Sequence, residues 1–222
     1  MKIVIAIALC MFCVAGFIAE TKRKSATAEA SQAPQMVEVV NHLSAIKIDD
    51  ISVTDGLATF SVVNVSDEPL TAHVIHSGRY RVVTDGSYWN TPLNPGEKRS
   101  LSLNIDGAQP LTVDALIHQS GKAEGDRVII EKIVNTRRGF KIGIEKIQNA
   151  IENEQSVADL KAAITNLQIT EEQFQSTQAY DGAKFARDSV LDQLSRIESL
   201  PDQAQAADEA RNLKNRMRMR TK

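Results

Sequence analysis

The side chains able to do chemistry in this chain are few, and the histidines come first: His42, His73, His76 and His118. Imidazole ligates metals when neutral and exchanges protons near neutrality. His73 and His76 stand three apart in a stretch of strand character, so their side chains point to opposite faces and cannot close on one metal there. Both cysteines, Cys10 and Cys13, lie in the opening apolar run. The body therefore offers no thiol nucleophile, no thiolate ligand and no disulfide. No G-x-S-x-G elbow, phosphate-binding glycine loop or H-E-x-x-H pair occurs. These residues point to a non-enzymatic protein, with no catalytic residue, no cofactor, no metal and no small-molecule ligand expected.

Three groups of residues suit binding instead. Tyr88 and Trp89 sit in "TDGSYWNTPLNPGEK", rich in Gly, Asn and Pro, where two aromatics either meet a sugar face or a protein, or fold back to cap the domain. Arg79 and Arg81 alternate in "RYRVV", as a contact for an acidic partner or as guards of a strand edge. At the end of the chain, Asp202, Asp208 and Glu209 precede Arg211, Lys214, Arg216, Arg218, Arg220 and Lys222. That order complements a helix dipole, yet the cations exceed what a cap needs. With an apolar stripe of Ala206, Ala210, Leu213 and Met217, this helix suits anionic lipid, nucleic acid or an acidic protein surface. Asn64-Val65-Ser66 also matches a glycosylation acceptor.

The elements that must position these groups follow from patterning. Of 222 residues 42% are apolar, enough for a packed core, and 26 basic residues against 28 acidic ones give no whole-chain field for nucleic acid. From Ile3 to Ala19 the chain carries no charge, and Ile3, Val4, Ile5, Ile7, Leu9, Phe12, Phe17 and Ile18 suit either a retained anchor or a cleaved signal peptide. The basic Lys22, Arg23 and Lys24 just beyond it favour a cytoplasmic flank. Residues 21–35, small and polar, read as a flexible tether.

After the tether come "IKIDDISV" and "LATFSVVNV" around Asp55-Gly56, a strong hairpin signal. "LTAHVIH", "RYRVV", "RSLSLNI", "PLTVDALIH" and "RVIIEKIV" follow, so about seven strands are expected over 36–138. Over 139–222 the period becomes helical, with three to four helices. Ile144, Ile147 and Ile151 mark the first, and Ser156 with Asp159 forms a capping box for the second. Thr170 with Gln173 opens a long third, and Pro201 starts the last.

The pairing of "FSVVNVSDEPL" with a later "LNPGEKRSLSLNI" resembles the immunoglobulin-like β-sandwich modules of bacterial envelope and virion proteins, in which a strand ends in Asn with a polar turn and a Pro-Gly-Glu turn precedes a core strand. The resemblance implies an all-β sandwich acting as an interaction or spacer module. The fold class expected is thus a transmembrane or signal helix at 1–20, the tether, an immunoglobulin-like domain at 36–138 and a helical region with a basic end. The function expected is a membrane-tethered structural or adaptor protein for protein–protein assembly or self-association, its body outside the cytoplasm. Two alternatives stand beside it. One is a virion or assembly component inserted the other way, its basic tail facing nucleic acid or anionic lipid. The other is a secreted module that binds ligand through Tyr88 and Trp89.

Overall fold

A computed structural model describes residues 37–86, 91–105, 107 and 109–221, all within one folded unit that begins at Val37. Its strands are β1 (Val39–Val40), β2 (Ile46–Thr54), β3 (Leu57–Asn64), β4 (Leu70–Ser77), β5 (Tyr80–Asp85), β6 (Lys98–Asn104), β7 (Leu111–His118) and β8 (Ala123–Gly125). Its helices are α1 (Arg127–Ala150), α2 (Val157–Thr165), α3 (Thr177–Glu198) and α4 (Gln203–Thr221).

Asp55 and Gly56, with φ of 52° and 77°, supply the left-handed pair that a two-residue hairpin requires between β2 and β3. β3 also pairs with β6, giving a three-stranded sheet of order β2-β3-β6. The other sheet runs β1-β7-β4-β5, with β8 beside β7. Alternate residues of both sheets meet in one core: Ile46, Phe60, Val62 and Leu103 from the first, Leu70, Ile75, Leu111 and Leu116 from the second.

The two motifs that carry the resemblance meet in space. Asn64 is fully buried; its amide donates to the carbonyls of Glu68 and Leu93, both at 2.8 Å, and its side-chain oxygen accepts from the amide and hydroxyl of Ser66. Its backbone accepts from Gly96, so the end of β3 is locked to the Pro-Gly-Glu turn before β6.

The expected fold class requires correction. "RVIIEKIV" is the start of α1, not a last strand, so helix begins at Arg127 rather than at 139. The Asp126 carboxylate accepts from the amides of Val128 and Ile129 at 2.8 and 3.1 Å and caps the helix. The contiguous apolar run reads as a strand, but Ile129, Ile130 and Ile133 pack at helical spacing on Ala72, Val74 and Ile117 of the outer sheet face. Helices and sheets thus form one mixed α/β unit instead of an all-β domain followed by a separate region. Among the described residues no helix is long and apolar enough to cross a membrane. The anchor and signal readings at 1–20, and the tether at 21–35, lie outside the described residues.

Smaller corrections concern helix starts. The third long helix begins at Thr177, capped by the Ser176 hydroxyl, and Thr170 precedes only a single 3-10 turn over Glu171–Gln173. Asp202, not Pro201, opens α4, its carboxylate accepting from Ala204 and Gln205. At Ser156 and Asp159 half of the expected capping box forms: the Asp159 amide donates to the Ser156 hydroxyl at 3.1 Å, while the Asp159 carboxylate accepts from that hydroxyl at 2.6 Å rather than from the Ser156 amide.

Candidate interaction site

Two helices and one edge of a sheet enclose an apolar groove among the described residues. α1 and α3 are held together by small residues: a Cβ at Gly139 would stand 1.8 Å from the Ala179 carbonyl oxygen, and one at Gly182 would stand 2.0 Å from that of Thr136. The backbones therefore touch, and α3 is brought close to the sheet on which α1 lies. Arg137 of α1 then reaches down to β5, where Nε and Nη2 donate to the Asp85 carboxylate at 3.0 and 2.9 Å and Nη2 also donates to the Thr71 hydroxyl at 3.1 Å. Asp85 is 5% exposed, so this bidentate pair is a buried clamp between sheet and helix.

Beyond the clamp the elements splay and leave an open groove of about 430 Å³. Val74, Val83, Ile129, Ile133 and Phe185 form its apolar wall. Val83 and Phe185 are 54% and 47% exposed, and because they line the same groove their apolar exposure is contiguous rather than scattered. Arg81 and Lys132 supply the cationic part of the lining. Arg81 Nη2 stands 3.6 Å from Asp114, whose other oxygen lies 2.7 Å from His76 Nδ1.

The residues singled out in the sequence are dispersed by the fold. Arg81 lines the groove, whereas Arg79 falls in the β4–β5 turn with its guanidinium 5.1 Å from the Tyr80 ring centre. Tyr88 and Trp89 lie outside the described residues. The stripe of Ala206, Ala210, Leu213 and Met217 is buried in the helical core against Ile147, Ile151 and Leu194, so packing occupies the face that a lipid surface would need. Lys214 donates to the carbonyls of Glu154 and Glu152 at 2.9 and 3.4 Å, tying α4 to the turn that follows α1. Arg211 pairs with Asp208 at 2.9 Å, and Arg216 donates to the Gln193 side chain at 3.4 Å. Arg218 borders two shallow depressions of about 170 and 330 Å³, the first lined also by Glu152 and Lys214 and the second by Glu154, Arg211 and Lys214, so cations outnumber acids in both. The side chain of Arg220 is outside the described ones.

The histidines do not converge. His42 is exposed on the connection before β2. His73 is buried, and desolvation, helped by the charge of Arg99, lowers its pKa to about 4. His118 is buried with Nε2 3.3 Å from Glu124, and hydrogen bonds and charge from Lys122 hold the Glu124 carboxyl below the usual range. Among the described residues no group of three His, Cys, Asp or Glu is placed to hold a metal.

Sequence reasoning missed Val83, Lys132 and Phe185. Phe185 carried a signal: it stands off the buried stripe of Ala183, Ala186, Val190, Leu194 and Ile197, an aromatic on the wet side of its helix. No protein-family model matches the chain, and no curated protein matches it significantly.

Proposed function

We propose that this chain is a non-enzymatic structural or adaptor protein whose sheets and helices form one body for protein–protein assembly. The observation that carries the reading is the junction groove: exposed apolar side chains beside exposed cations, on elements fixed by a buried ion pair and a glycine-tight helix contact. A surface of that kind, held rigid, suits a partner that must be presented in one orientation. Strand order supports an immunoglobulin-like assignment of the two sheets, since β2-β3-β6 shares its core with a sheet in which β5, β4, β7 and β8 are successive neighbours. The composition of residues 3–19 alone supports placing the module at a membrane, and fractionation of cells before and after carbonate extraction tests that placement.

The function is tested by placing a photo-crosslinking residue at position 83 or 185 of the full chain in its own cell. A discrete protein adduct at both positions is the expected result. Absence of adducts there and at exposed positions across both sheets and all helices would contradict an assembly role.

A further inference from the structure

Building on the assembly reading, we propose that the outer edge of β5 takes an extended acidic segment of a partner protein as an added strand, with an apolar side chain of that segment seated in the junction groove. β5 ends its sheet: it pairs with β4, and no strand pairs with its other edge among the described residues. The register sets Ala72 opposite Asp85, hence Thr71 opposite Gly86, and the Gly86 amide donates to the Thr71 carbonyl at 2.7 Å. Bonded and unbonded pairs alternate along an antiparallel ladder. Val82 and Thr84 therefore turn their backbone groups toward β4, while Arg81 and Val83 turn theirs to the open edge. Those same two residues line the groove with their side chains. One strand laid along this edge would gain main-chain bonds from Val83 and an apolar slot formed with Ile133 and Phe185, the arrangement by which sheet edges capture extended peptides.

Charge selects the occupant. Asp85, the carboxylate of the lining, is engaged by Arg137. Asp114, the acid nearest Arg81, also holds His76. Lys132 is exposed and has no ion pair among the described residues. The groove therefore presents positive charge beside its apolar wall, and carboxylates on the incoming strand complement it. A second copy adding its own β5 would set two cationic grooves side by side, the repulsive arrangement.

Random peptides displayed on phage, selected on the immobilised full chain, supply the probe. Fluorescence anisotropy then measures the enriched peptides against wild type, Val83→Pro, Phe185→Glu and the double variant Arg81→Glu with Lys132→Glu, with circular dichroism verifying each fold. Val83→Pro removes an outward amide at an edge, where proline is tolerated. If it unfolds, the exposed Lys132→Glu alone with added salt decides the charge requirement. The expected result is enrichment of alternating acidic and apolar residues, affinity that falls with salt, and weakening by each groove variant of about tenfold or more. Enriched peptides that lack acids, or that bind all variants equally, would overturn the edge proposal and leave the assembly reading intact. A dimer in sedimentation velocity that Val83→Pro dissociates would overturn it in favour of a second copy. Failure to enrich any peptide would overturn it as well, and with no cellular adducts at any surface the assembly reading falls too.

Discussion

His73 illustrates how a single buried side chain sets a property of the whole fold. Its folded pKa of about 4 lies below the ordinary imidazole value of 6.5, so the native state keeps it neutral where the unfolded chain protonates it. Stability contributed by this group is complete above pH 6.5, declines as the pH falls toward 4, and declines no further below that. The full loss is on the order of 3 kcal/mol. Urea midpoints measured at pH 7 and pH 4.5 should therefore separate more for wild type than for His73→Leu, which cannot titrate. Equal separation in the two proteins would remove His73 as the cause. None of this was legible in sequence: the strand alternation of "LTAHVIH" puts His73 and His76 on opposite faces, but only the second sheet makes one of those faces dry.

Among the elements, the α1–α3 pair makes a prediction whose sign opposes helix propensity. Ala is favoured over Gly by about 1 kcal/mol inside a helix. At Gly139 and Gly182, however, an added Cβ would meet a backbone carbonyl of the facing helix at 1.8 or 2.0 Å, and backbone cannot swing aside as a flexible side chain can. Gly139→Ala and Gly182→Ala should each destabilise the protein by at least about 2 kcal/mol in denaturant titration. A neutral or stabilising effect would mean that the helices stand further apart. The elements themselves were largely legible where periodicity is strict. "RSLSLNI" alternates and is β6; Asp55-Gly56 is the hairpin; Ile144, Ile147 and Ile151 mark a buried helix face. What was not legible lay where one local signal had two readings. The run from Arg127 to Val134 is apolar enough for a strand, and the decision rests on the Asp126 cap and on the sheet face that receives Ile133. Nor does sequence show that Lys214 of α4 reaches the carbonyls of Glu152 and Glu154 in the turn after α1, 62 and 60 residues away.

For the molecule as a whole, the buried clamp between Asp85 and Arg137 and the seating of Ile133 on the sheet make strands and helices one cooperative unit. Circular dichroism at helix wavelengths and hydrogen exchange of the strands should report the same unfolding transition. Asp85→Ala, which leaves the half-buried Arg137 guanidinium without its carboxylate, should lower the stability of both together by about 3 kcal/mol. Helices that melt apart from the strands would contradict a single body. The junction groove depends on that unity, since β5, α1 and α3 each supply part of its wall and none forms it alone. The most direct test of the interaction site is hydrogen exchange by mass spectrometry on the full chain, free and bound to the partner recovered by crosslinking. Protection concentrated in β5 and in the facing turns of α1 is the result expected. Protection confined to residues 87–90 or to the end of α4, with β5 unchanged, would contradict it.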